Sequence, residues 1–177
     1  GRDGMAVLVA VLRADAETDP DIARNCLEAL VNICTMQRGR AGDDAPVGSS
    51  NSARFVAVAG AMELLLDLLA QNDFYVRFAT CQLLTAIYIN QPQAVQDAFK
   101  SNTAGVGSLM DAMADSRHKA MIAKEALMLM VQLTQTSVEI NMAVVFYGAF
   151  DRTFEIITRA FEDDMDGGIV VKDALDL

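Results

Sequence analysis

The stretch GAMELLLDLLAQND, residues 60–73, decides the fold because it recurs. AGVGSLMDAMADS begins at Ala104 and GAFDRTFEIITRAF at Gly148, and the three align without gaps. Their acidic residues Asp67, Asp111 and Glu155 stand 44 positions apart in both intervals. Leu66, Met110 and Phe154 precede the acid, and Leu69, Met113 and Ile157 follow it by two. One acid among apolar neighbours is what a helix buried on one face and wet on the other requires.

A second pattern flanks the first. IARNCLEALVNI from Ile22, VRFATCQLLTAI from Val76 and IAKEALMLMVQL from Ile122 superpose. Cys26, Thr80 and Ala126 lie four positions in, and Leu30, Leu84 and Met130 four further, so each copy carries one helical stripe. A fourth copy starts at Val170 and runs to Leu177. Between copies stand the short apolar pieces ARFVAVA, QAVQDAF and EINMAVVF, each leading into the Gly or Ala that opens the next helix. The unit is therefore short helix, helix, long helix. Its period falls within the range of about 40–47 residues for armadillo and HEAT repeats, and three helices favour armadillo. Such a unit is too thin to bury its own apolar face, so copies must stack. The expected class is all-α: an armadillo-like repeat superhelix, a right-handed α-solenoid of about three and a half three-helix repeats.

Composition agrees. Residues 1–177 fit a single repeat domain. Hydrophobic residues make up 53% and aromatics 6%, leaving the packing to Ala, Leu, Val, Ile and Met, which suits helix on helix. One interval breaks the period: Ile22 to Val76 is 54 positions instead of 44. The excess falls in QRGRAGDDAPVGSSNS, residues 37–52, where no apolar period survives, and a flexible inserted loop is expected there.

The formal net charge is −10, and no cluster of Lys and Arg exists to neutralise phosphates, so nucleic acid is not an expected partner. A basic protein surface is compatible. Apolar runs such as Met5–Leu12 fall short of the ~20 residues that span a bilayer. The opening GRDGM, without an initiator Met, suggests an excised piece carrying a short scar.

Chemistry is hard to assemble from these residues. His118 is the lone histidine, and no G-x-S-x-G accompanies it. Cys26, Cys34 and Cys81 are dispersed and fit no disulfide framework or zinc set, so buried thiols in a reducing compartment are expected. EDDMDGGIVVKD, residues 162–173, approaches a calcium loop, with Glu162, Asp164 and Asp166 at positions one, three and five and Gly167 at six. Position twelve is Asp173, too short for the bidentate reach of Glu, and position one is Glu rather than Asp. No calcium affinity tighter than millimolar is expected. The repeat frame instead puts Gly167–Gly168 at a helix stop before the third helix of repeat four. Met110, Met113, Met121, Met128 and Met130 read as core filler.

No catalytic group, cofactor or metal is thus expected; the pattern describes an interaction scaffold. In armadillo stacks the long third helices line the concave surface. Their polar positions Arg24, Asn25, Glu28, Asn32, Arg77, Gln82, Lys124, Glu125 and Gln132 are the candidate protein-binding residues. Trp is absent and Asn32 is answered by Ala86 and Gln132, so a nuclear-import type of peptide groove is not expected.

Three stretches together carry a family resemblance: FYVRFATCQLLTAI, ADSRHKAMIAKEALMLMVQLTQ and FDRTFEIITRAFEDDMDGGIVVKDALDL. They resemble the armadillo-like globular head of the general vesicular transport factor family, the vesicle tethers of ER-to-Golgi traffic. Asp166, Gly167, Gly168, Ile169, Val170 and Val171 form the most specific signature, and the Ala114–Arg117 turn and the Val76–Arg77 pair add to it. The likeness covers Gly60 to Leu177; residues 1–52 fit by repeat pattern only. It implies a non-enzymatic segment of a larger head, in a cytoplasmic protein held peripherally and indirectly at Golgi and ER–Golgi membranes. It also implies Rab-type small GTPases and membrane-fusion and tethering machinery as partners, with homodimerisation through the full-length protein. Binding residues do not carry over, because the shared motifs read as repeat packing. A generic armadillo adaptor of another pathway, β-catenin-like or chaperone-cofactor-like, is the alternative. The cut fourth repeat predicts self-association through an apolar end at high concentration.

Overall fold

The computed structural model describes residues 4–16, 18–35, 47–114, 120–148, 151–155 and 158. Among them every regular element is an α-helix: α1 Gly4–Asp15, α2 Pro20–Thr35, α3 Val47–Val56, α4 Ala61–Leu69, α5 Phe74–Asn90, α6 Pro92–Ser101, α7 Ala104–Ala114, α8 Ala120–Thr134 and α9 Val138–Phe146. The three-helix frame is reproduced. The helices α3–α4–α5 and α6–α7–α8 are complete repeats, α1 and α2 supply the second and third helices of one before them, and α9 opens one after. Packing divides the chain, expected as a single domain, into two compact units, Gly1–Ala98 and Phe99–Leu177.

Local chemistry sets the helix ends. Pro20 takes the first position of α2, where a missing N–H costs nothing, and Asp19 accepts from the backbone N–H of Asp21 and Ile22 at 3.1 and 3.2 Å. The Asp73 carboxylate accepts from Val76 N at 2.9 Å to open α5, and Ser137 Oγ accepts from Ile140 N at 3.3 Å to open α9. Gly60 and Gly148, one in each unit, turn the chain between first and second helices at φ 70° and 77°, a left-handed conformation that glycine adopts without strain.

In the first unit α2 packs most extensively against α5, with α1 and α3 on α2 and α4 on α5. Leu12, Leu27, Leu30, Phe55, Leu65, Val76, Leu83, Leu84 and Ile87 are sealed between them. Burial of such side chains stabilises by roughly 1.5–3 kcal/mol each relative to exposure. Thr80 is also fully buried, and its hydroxyl donates to Val76 O at 2.7 Å, so a polar residue fits where the neighbouring copies carry Cys26 and Ala126. Polar clasps join distant segments: Arg13 donates to Ala59 O at 3.0 Å, and Asn51 to Ile33 O at 2.9 Å.

The expected loop 37–52 is corrected over its last part, since Val47–Val56 is helix. The buried face of α3 is Gly48, Ser52 and Phe55, at i, i+4 and i+7. Two of those three are small and not strongly apolar, which lets α3 approach α2 and α5 closely while hiding the helical period from a hydrophobicity reading. Residues 37–46 lie outside the described residues.

In the second unit α7 packs on α8 and on α9, and α8 on α9. Val106, Leu109, Met110, Met113, Leu127, Met130, Leu133 and Ile140 form its core. Gly107 faces the ring of Tyr147. Asp111, one of the repeating acids, pairs with Arg152 on the helical segment after α9.

Candidate functional site

The third helices α2, α5 and α8 each carry an outward stripe, and the repeat register shows how each copy fills its own. The position before the aligned Ile or Val holds Asp21, Tyr75 and Met121, all exposed. Two places after it come Arg24, Phe78 and Lys124, and six after it Glu28, Gln82 and Met128. The stripe is charged on α2, aromatic on α5 and Met-rich on α8.

Within the first unit α2 and α5 bring their stripes together. The Arg24 guanidinium carbon lies 5.3 Å from the centroid of the Tyr75 ring, a cation–π distance. The same guanidinium sits 4.0 Å from Asp21 and 3.7 Å from Glu28, so carboxylates one turn away on either side orient it. Phe74 stacks on Phe78 with centroids 5.9 Å apart and meets Tyr75 edge-on at 5.1 Å. The result is an aromatic shelf with Tyr75 55% exposed, framed by Arg24, Glu28 and the half-buried Gln82. Asn25 and Asn32 are exposed along α2. Such a surface offers flat apolar area and paired charge at low entropic cost, the properties of protein-binding hot spots. The aromatic shelf was not among the sequence candidates, which were chosen for polarity. The signal for it was Tyr75 and Phe78 at i and i+3, on the register of Asp21 and Arg24.

In the second unit Lys124 is exposed and Glu125 and Gln132 are half-buried on α8. Met121 and Met128 stand beside them at 59% and 36% exposure. The reading of the methionines as core filler therefore holds for Met110, Met113 and Met130 and is corrected for these two.

Arg77 is also corrected. Only 7% of it is exposed, so it cannot serve as a surface contact. Its register position is held by Ala23 and Ala123 in the other copies, both buried, which was legible in the aligned repeats. His118, the acidic 162–173 stretch and the signature Asp166–Val171 lie outside the described residues.

Cys26, Cys34 and Cys81 are free and buried. Burial raises the Cys26 thiol, with the Asp15 charge adding to it; burial also raises Cys34, and a hydrogen bond from Ser52 partly opposes this. Among the described residues no three His, Cys, Asp or Glu gather as a metal set, and no helix is long and apolar enough to cross a membrane.

No protein-family model matches the chain. Individual proteins do. Golgin candidate 6 of Arabidopsis thaliana is 37% identical over 99% of the chain, which covers 19% of that protein. General vesicular transport factor p115 of Bos taurus is 33% identical over 99% of the chain and 18% of its own length. The chain thus spans about a fifth of the curated relatives it matches. A solved structure of Uso1-1 superposes with a TM-score of 0.75 at 20% identity, over 98% of the chain and 30% of that structure, and its fold is the same armadillo-like helical repeat.

Proposed function

From a chain homologous over its whole length to the general vesicular transport factors, we propose a protein-docking segment in the head of a vesicle tether of ER-to-Golgi and intra-Golgi traffic. It acts by binding rather than by catalysis. Its partners are proteins, a Rab-type small GTPase and tethering or fusion components among them, and it works peripherally at Golgi membranes through those partners. The observation that carries the reading is the homology to a segment of p115 over 99% of this chain. The α2–α5 face supports it locally. Tyr75, Phe78 and Arg24 form an aromatic and charged shelf of the kind that anchors protein interfaces, with Gln82 beside it.

The test is a chimera in which this segment replaces the matching segment of p115 in cells depleted of their own copy. Restored arrival of secretory cargo at the Golgi is expected, and Tyr75→Ala with Gln82→Ala in the chimera should reduce it several-fold. A chimera that folds and reaches wild-type abundance, yet leaves cargo in the endoplasmic reticulum, would overturn the reading.

A further inference from the structure

Among the described residues methionine divides between core and surface. Met5, Met62, Met110, Met113 and Met130 are sealed, none more than 8% exposed. Met121 and Met128 are 59% and 36% exposed, and their i, i+7 spacing puts both on one face of α8. The repeat register marks these as surface positions rather than a seam. The first is held by Asp21 on α2 and Tyr75 on α5, both exposed, and Tyr75 stays 55% exposed with α2 packed on α5. The second is held by Glu28, exposed, and Gln82, half-buried. Met142 on α9 is also exposed, at 69%, but its counterpart one period earlier, Ala98, is half-buried, so the register does not mark that place as surface. Of α2, α5 and α8, only α8 carries thioethers at both places, with the exposed Lys124 one turn from each. Neither methionine belongs to the α2–α5 shelf.

We propose that Met121 and Met128 form a modification site, oxidised by peroxide to sulfoxides with the fold intact and restored by methionine sulfoxide reductases. A thioether reacts where its sulfur meets solvent, and hydrogen peroxide is small and uncharged, so a net charge of −10 does not repel it. The sulfur lone pair attacks one peroxide oxygen and the O–O bond breaks. An S–O bond forms, the sulfur gives up two electrons, and the second oxygen leaves as water with the proton of the first. Each residue consumes one peroxide and releases one water. The reductase reverses the step with two thiols, which supply two electrons, become a disulfide and release the oxygen as water.

Place in the repeat decides the consequence. On Met110, Met113 or Met130 the new oxygen would enter a sealed apolar core and disrupt its packing. On Met121 and Met128 it faces water, with Lys124 one turn away on the same helix. An apolar, adaptable stripe becomes a polar one, closer in character to the charged stripe of α2. Oxidation of this pair therefore changes what the α8 face can hold without unfolding the helix.

The test exposes the full-length protein to hydrogen peroxide under native conditions and follows each methionine by tandem mass spectrometry, which separates Met128 from Met130. Met121 and Met128 should oxidise about tenfold or more faster than Met110, Met113 and Met130, and in urea all five rates should converge. Circular dichroism should be unchanged once these two are converted, and the two reductases, one for each sulfoxide epimer, should return both. On a phenyl column oxidation should advance elution. Met121→Leu with Met128→Leu keeps the apolar bulk without an oxidisable sulfur and should lose about half or more of that advance. Met121 or Met128 reacting no faster than Met130 in the folded chain would overturn the proposal. So would helix lost as the pair oxidises, or a leucine variant whose elution advances as far as the parent's.

Discussion

A Cβ placed on Gly107 of α7 would stand 2.8 Å from Cε1 of Tyr147, the residue that closes α9. The two helices meet there with no room for a methyl group. The Tyr147 ring also meets Phe146 edge-on, with centroids 5.4 Å apart. This close approach is where α9 packs on α7 within the second unit.

Gly107→Ala is expected to destabilise despite the helix preference for alanine. Overpacking costs about 1–3 kcal/mol, and the propensity gain returns ~1 kcal/mol. A net loss of up to about 2 kcal/mol in urea unfolding is expected. In a Tyr147→Ala background the same change should become neutral or stabilising. A destabilisation that persists without the ring would show that the ring is not its cause.

Asp73→Ala should cost about 1 kcal/mol by removing the side-chain acceptor at the start of α5. Asp73→Asn keeps an oxygen acceptor in place and should cost only a fraction of that. The midpoint of chemical denaturation reads both. Equal losses would shift the cause from the cap to the charge.

Arg77→Ala should lower stability by about 1–3 kcal/mol and leave partner affinity, per folded molecule, unchanged. Tyr75→Ala should do the reverse, because its exposed ring contributes little to the core. Comparing thermal melting with partner capture for the two variants separates packing from contact. A folded Arg77→Ala protein that loses its partner would restore Arg77 to the binding surface.

Cys34 gives a pH dependence with a definite sign. Its thiol is held above its ordinary range, so the folded chain keeps a proton that the unfolded chain releases near pH ~8.5. Its contribution is complete below that pH and is lost as pH rises toward and through the folded value. Stability measured from pH 7 to 10 should fall less steeply in Cys34→Ala than in the parent. Identical slopes would remove Cys34 from the balance.

Where side chains are large and apolar, the fold was legible in the sequence. The spacing of Asp67, Asp111 and Glu155 located the second helices, and the stripes from Ile22, Val76 and Ile122 located the third. It failed at α3, whose buried face uses Gly48 and Ser52 instead of large hydrophobics. On the candidate surface, polarity alone chose Arg77, which is buried, and passed over Tyr75 and Met121, which are exposed. Exposure follows the register of a position within the repeat, and chemical type is a poor substitute for it.

The serines of α3 carry a consequence for modification. Ser50 faces solvent, whereas Ser52, two residues on, is fully buried beside Asn90, whose Nδ2 lies 3.4 Å from its hydroxyl. Of the three serines in SSNS, Ser49 is half-buried and Ser52 sealed, so Ser50 is the one that a kinase finds exposed. A phosphate on Ser50 would add charge to an already acidic surface and leave the packing intact. A phosphate on Ser52 would require α3 to leave α2 and α5, making it a marker of a chain caught unfolded.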